Sequence, residues 1–177
     1  VDWEAMAEGI YDGLGASTPV FAVPGAWSYD DTLSVYPYDM EKALSLLSEA
    51  GYPNGFEVEL WSGYNHTTAS KIIQFLQQQF AQVGVKVSIL AMEAGQRNEY
   101  LLKKPEDAKL NMLYAGWSSS TGELDWALRP LLATASWAPV AGNYGFYSSK
   151  VLDDSFTKAL LTTDRAEKTK LYNAGQD

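Results

Sequence analysis

Three strand-like segments, FEVELW (56–61), VKVSILA (85–91) and KLNMLYAGW (109–117), alternate with two helical patterns. This β-α-β-α-β order, with short joints, constrains the fold more than any other feature of the chain. An antiparallel partner needs only a tight turn, whereas a covering helix between two strands returns the chain in parallel. The expected fold class is therefore α/β, a mostly parallel sheet flanked by helices. Within FEVELW, apolar and acidic residues alternate, so Glu57 and Glu59 share one outward face. Such alternation reads as solvated surface rather than as a catalytic carboxylate pair. The first covering helix carries its buried stripe on Ile72, Ile73, Leu76, Phe80 and Val83, with glutamines opposite and Gly84 as its stop.

Around this centre the pattern is legible in parts. Trp3, Met6, Ile10 and Leu14 predict a helix over 2–14, followed by an irregular Gly/Pro/Ser/Tyr-rich connection over 15–38. Asp39 caps a helix, MEKALSLLSEA, that Gly51 and Pro53 end. A short helix is expected over 95–104, and two more at about 149–162 and 164–175, the last opened by an Asp164–Glu167 capping box. The chain opens and closes inside predicted helices, which reads as a piece of a longer protein.

The formal net charge is −9, and residues 1–66 hold eleven acidic side chains against Lys42 alone. That balance opposes nucleic-acid binding and docking on anionic membranes. With no cysteine and one histidine, a Cys/His zinc site and a thiol nucleophile are excluded. No stretch reaches the length of a membrane span, and no leader pattern is visible.

The segment YAGWSSSTGELDW (114–126) concentrates Ser118, Ser119, Ser120 and Thr121 just after Trp117. Strands of a parallel sheet end on one edge, where ligands tend to lie. Tyr64, Asn65 and His66 follow the first strand in the same way that Trp117–Thr121 follow the third. Two readings stand here. In the first, Ser120 and Glu123 fit a capping box and the other hydroxyls solvate a loop. Alternatively, the hydroxyls and the indole face floor a pocket for a small polar solute with carboxylates. Hydrolysis by His66 with a serine of 118–120 is the rival chemistry, but the G-x-S-x-G elbow is lacking. Ser155-x-x-Lys158 lies on an expected helix surface without companion motifs, and Asn65-His66-Thr67 forms a sequon of a kind that arises by chance.

The blocks YPYDMEKALSLLSEAGYPNGFEVELW, QQQFAQVGVKVSIL, YAGWSSSTGELDWALRPLL and NYGFYSSKVLDDSFTKALLTTDRAEKTKLYNAGQD occur in that order. Together they resemble the second lobe of the peptide/nickel class of extracytoplasmic solute-binding proteins, the ligand-capturing components of ABC importers. NHTTA, MEAGQR, GWSSSTGELDWAL and YSSKVLDD resemble most the glutathione-binding branch. The resemblance implies one ligand-binding lobe over residues 1–177 of a two-lobe periplasmic-binding fold, closing like a hinge over its solute. It implies a periplasmic location, a membrane permease as partner, no cofactor and no enzymatic activity. The candidate ligand-binding residues are Tyr64, Asn65, His66, Trp117, Ser118, Ser119, Ser120, Thr121 and Asn143. Many peptide-binding relatives carry an Asp where Ser120 stands, pairing with the peptide ammonium, and some supply an Arg from the loop that here reads Tyr64-Asn65-His66. Both departures imply hydrogen bonds in place of ion pairs, and the missing Asp suits a ligand whose ammonium lies beside its own carboxylate, as in the γ-glutamyl group of glutathione.

Overall fold

The computed structural model describes residues 1–20 and 22–176; Phe21, inside the expected irregular connection, and Asp177 lie outside the described residues. The chain divides into two compact units. The first comprises residues 1–17, 36–98 and 109–115, and the second 18–35, 99–108 and 116 onward.

The first unit is built on a three-stranded parallel sheet in the order β2-β1-β3, with β1 (Glu57–Ser62), β2 (Lys86–Ala91) and β3 (Met112–Tyr114). The central strand is buried over Leu60, Trp61 and Ser62, while Glu57 and Glu59 are exposed as expected. Glu57 faces Lys86 and Glu59 accepts the Trp61 indole N–H at 3.1 Å, so both carboxylates are occupied with surface contacts. Helix α3 (Thr67–Ala81) packs on β1 and β2, and α1 (Trp3–Tyr11) packs on α3. Leu60, Ile73, Val85 and Val87 form the core, joined by Leu76, Phe80, Val83 and Leu47 from α2 (Met40–Glu49). Apolar burial from both strands and helices is the main force holding this layer pair.

Capping fixes where these helices begin and end. Asp39 accepts from the Lys42 N–H at 2.8 Å and opens α2. At its far end Gly51 takes φ +88°, its N–H reaching the Ser48 carbonyl and the Tyr52 N–H reaching Leu47. That pair of bonds is a Schellman closure and needs the left-handed conformation that glycine adopts without strain. Helix α1 stops at Tyr11, short of the expected Leu14, because Asp12 and Gly13 both turn left-handed. Strand β3 is much shorter than the expected 109–117. The Asn111 side chain, not a backbone carbonyl, accepts the Glu59 N–H at 3.3 Å, which ends the ladder.

The second unit is helical. Helices α5 (Leu124–Leu132), α6 (Lys150–Leu160) and α7 (Arg165–Ala174) enclose Leu124, Ala127, Leu128, Leu152, Phe156, Ala159 and Tyr172. Arg129 grips Asp125 at 3.0 Å through Nε, donates to the Phe156 carbonyl at 2.7 Å and lies over the Phe156 ring. Asp164 caps α7 by accepting from the Glu167 N–H at 2.8 Å, but Glu167 accepts from Thr162 Oγ1 instead of closing the box. Ser155 is 7 % exposed in α6, so the expectation that it lies on a helix surface is corrected: it faces the core. Helix α4 (Ala94–Leu101) belongs in part to each unit, and it ends three residues before the expected 104.

Tyr172 and, in the first unit, Tyr114 are both pushed up to about 12 from the ordinary phenol value near 10, burial being the main cause in each. The charges of Asp125 and Glu123 add to it at Tyr172, and Tyr11 adds to it at Tyr114. A phenol whose folded pKa is raised contributes stability below pH 10 that is lost as pH rises through 12. Stability in urea should therefore fall between pH 10 and 12, with two of the 11 tyrosines ionising late in an absorbance titration.

Candidate functional site

In the first unit, the parallel register ends the three strands together: Ser62 pairs with Ala91 and with Tyr114. Two further bonds stitch the edge, from the Gly63 N–H to the Tyr114 carbonyl at 3.0 Å and from the Met92 N–H to the Ser62 carbonyl at 3.1 Å. The buried Ser62 hydroxyl donates to the Tyr64 carbonyl at 2.6 Å and turns the chain out of the sheet. Tyr64, Asn65 and His66 therefore stand at the C-terminal edge of the central strand, where the sequence placed them.

The three side chains have distinct surroundings. Tyr64 packs edge-on against Tyr114 and beside the His66 ring. Asn65 donates from Nδ2 to a Glu93 carboxylate oxygen at 3.2 Å. His66 is the N-cap of α3: its Nδ1 accepts the Ala69 N–H at 3.2 Å. An imidazole whose Nδ1 lone pair is held by a backbone N–H carries its proton on Nε2. It then presents a donor, not a base, to anything beyond the helix. The hydrolytic role considered for His66 requires the opposite arrangement.

One further side chain at this edge was not singled out from the sequence. Arg97, in the first turns of α4, runs alongside Gly63, where a Cβ would meet its Cδ at 3.3 Å and its Nη1 at 3.8 Å. It is half-buried, and nothing in the MEAGQR motif foretold that α4 would lay it there.

In the second unit the hydroxyl run divides by role. Ser119 Oγ donates to the Glu123 carbonyl at 2.8 Å, and Thr121 Oγ1 accepts the Glu123 N–H at 3.3 Å. These two hydroxyls hold the loop in shape, while Ser118 and Ser120 are exposed. The Ser120–Glu123 capping box does not form. Gly122 sits at φ +70°, which no helical first turn accommodates, so α5 starts at Leu124 with Glu123 as its N-cap. The Trp27 N–H, bonded to the Gly122 carbonyl at 2.9 Å, braces this turn.

Trp117 is 43 % exposed, and its indole N–H donates to the Trp126 carbonyl at 3.0 Å. That carbonyl is available because Pro130, four residues on within α5, has no N–H to give it. A proline inside the helix thus creates the acceptor that fixes the indole, whose ring stands 6.1 Å from that of Trp126 at a tilt of 38°. Asn143, by contrast, is 1 % exposed. Its Nδ2 donates to the Ala133 and Tyr147 carbonyls at 3.0 and 2.8 Å, and its Oδ1 accepts the Tyr147 N–H at 3.0 Å. Its amide is committed to the loop before α6, and the expected ligand contact is therefore not carried forward.

The family model described as bacterial extracellular solute-binding proteins, family 5 Middle, matches residues 1–139. The chain belongs to this family. The glutathione-binding protein GsiB of Escherichia coli (strain K12) is 52 % identical over 165 residues, covering 92 % of this family-5 chain and 32 % of GsiB. The chain thus spans about a third of the length of the curated relatives it matches. Among solved structures, the periplasmic binding protein DppA from Helicobacter pylori, in complex with peptide STSA, superposes with a TM-score of 0.87 at 29 % identity. That match covers 99 % of this chain and 33 % of DppA. The dipeptide-binding protein from Pseudoalteromonas sp. SM9913, in complex with Met-Leu, gives 0.84 at 26 % identity, covering 99 % of this chain and 34 % of the other. The α/β fold with a parallel sheet flanked by helices is the one these binding proteins share.

Proposed function

We propose that this chain is the ligand-binding lobe of a periplasmic solute receptor that captures glutathione or a related small peptide and delivers it to the membrane permease of an ABC importer. The observation that carries the ligand class is the likeness to the glutathione-binding protein, which runs through nearly all of the chain. The residues proposed to touch ligand are Tyr64, Asn65 and His66 in the first unit, and Trp117 with the Ser118–Thr121 loop in the second. In this reading both units belong to one lobe over residues 1–177. His66 offers an Nε2–H and Ser118 and Ser120 offer hydroxyls to carboxylate or amide oxygens, and Trp117 offers a ring face. Ser120, where many relatives carry an acid, leaves no fixed anion for an isolated ammonium. A γ-glutamyl ammonium lies beside its own carboxylate and needs that anion less. Capture follows from contacts that favour the closed state of a hinged pair of lobes, with no bond made or broken.

Calorimetric titration of the intact protein with glutathione, glutathione disulfide, a dipeptide panel and nickel tests the reading. Glutathione is expected to give saturable heat. Tight dipeptide binding with no heat from glutathione would overturn the ligand while leaving the receptor class.

Two substitutions probe the second unit separately. Trp117→Ala should weaken glutathione binding by about tenfold through the lost ring face. Pro130→Ala gives α5 an N–H that competes for the Trp126 carbonyl. It should loosen the indole, seen as altered Trp fluorescence, and weaken binding less than Trp117→Ala does.

A further inference from the structure

We infer that Arg97 is the carboxylate-recognising residue of the sheet edge, pairing with a carboxylate of the captured peptide; this rests on the receptor reading above. Sequence alone left this edge without a full positive charge. The structure supplies one from α4, not from the loop that follows β1.

Three observations carry the inference. First, the Arg97 stem passes over Gly63 at the point where β1 leaves the sheet, within the same unit as Tyr64, Asn65 and His66. Any side chain at residue 63 would press on that stem, since even a Cβ there lies 3.3 Å from Cδ. Second, Arg97 is half-buried as a residue, its stem lying against Gly63, and among the described residues its guanidinium makes no ion pair or hydrogen bond. A guanidinium with no anion paired to it keeps its full set of N–H donors for a ligand. Third, its natural intrachain partner is engaged elsewhere. Glu93 stands one helical turn before Arg97, whose N–H bonds to the Glu93 carbonyl at 3.1 Å. Carboxylate and guanidinium at this spacing commonly pair. Here the Glu93 carboxylate accepts from Asn65 Nδ2 instead, so Asn65 keeps it off the guanidinium. Lys86, the cation of β2, stands at the opposite end of the sheet, paired with Glu57. A planar guanidinium with two parallel donors suits a carboxylate better than any other group at this edge.

The test compares wild type, Arg97→Gln and Arg97→Lys in the intact protein by calorimetry, with glutathione and its dimethyl ester as probes. If the wild type takes a dipeptide instead of glutathione, Met-Leu and its methyl ester serve. Arg97→Gln should weaken the free acid by about 10- to 100-fold, the usual worth of a charge-assisted hydrogen bond. Arg97→Lys, which keeps the charge and loses the fork, should fall between. The ester should bind wild type and Arg97→Gln alike. Unchanged acid binding in Arg97→Gln overturns the inference, and so does an equal loss for acid and ester, which marks a merely structural role. Circular dichroism and the unfolding midpoint confirm that the variants are folded. A wild type that binds none of the probes overturns the receptor reading and the inference together, whereas a binding wild type matched by Arg97→Gln overturns the inference alone.

Discussion

Gly55→Ala is expected to unfold the first unit or to lower its stability by about 3 to 5 kcal/mol. Gly55 leads into β1 at φ +74°, and a Cβ added there would lie 1.9 Å from the Gly84 carbonyl oxygen and 2.2 Å from its carbon. The clash is backbone on backbone, so no rotamer relieves it. Gly84 leads into β2 and itself takes φ +83°. Separating the two segments would pull β1 and β2 out of register at the Glu57–Lys86 pair, where the sheet begins. The left-handed conformation adds its own strain for alanine. Urea unfolding followed by far-UV circular dichroism measures the loss. An unfolding free energy within about 0.5 kcal/mol of wild type would show that these segments part without consequence.

Asn143→Ala is expected to destabilise the second unit by about 3 kcal/mol, because it strands the Ala133 carbonyl and the Tyr147 N–H and takes from the Tyr147 carbonyl one of its two donors. Asn143→Asp should do no better, since a carboxylate oxygen would face two carbonyl oxygens that now accept from Nδ2. The loop between α5 and α6 is otherwise held by scattered bonds such as that from the Trp137 indole N–H to the Tyr147 carbonyl at 2.8 Å. Tryptophan fluorescence during urea unfolding reports this directly, because Trp137 neighbours the lost network. Unchanged stability in Asn143→Ala would reopen its reading as a ligand contact.

What could be read from the sequence follows from range. Strand and helix order was legible because periodicity is local, and Asp39, Gly51 and Asp164 end or open helices as their chemistry dictates. Errors arose where a side chain from elsewhere, or a neighbouring turn, overrode the pattern. Asn111 ended β3 by bonding across to β1, and Gly122 displaced the start of α5 despite a matching Ser-x-x-Glu motif. The candidate ligand edge was legible only in its loops. Tyr64, Asn65 and His66 stand next to a strand end in sequence, so topology alone delivers them. Arg97 arrives by the packing of a separate helix on Gly63, which no spacing rule encodes. Asn143 sits in a polar loop and looks exposed on paper; three bonds to its own loop bury it.

The order β2-β1-β3 also has a temporal consequence. The middle strand is the first of the three to leave the ribosome, and both of its neighbours are made later. Until Met112–Tyr114 emerges, Leu60–Ser62 has one flank unzipped, with the backbone groups of that edge open to other nascent chains. The interval before the third strand is synthesised is thus when this protein is most exposed to misassembly, and a chaperone that waits on that flank would guard it best.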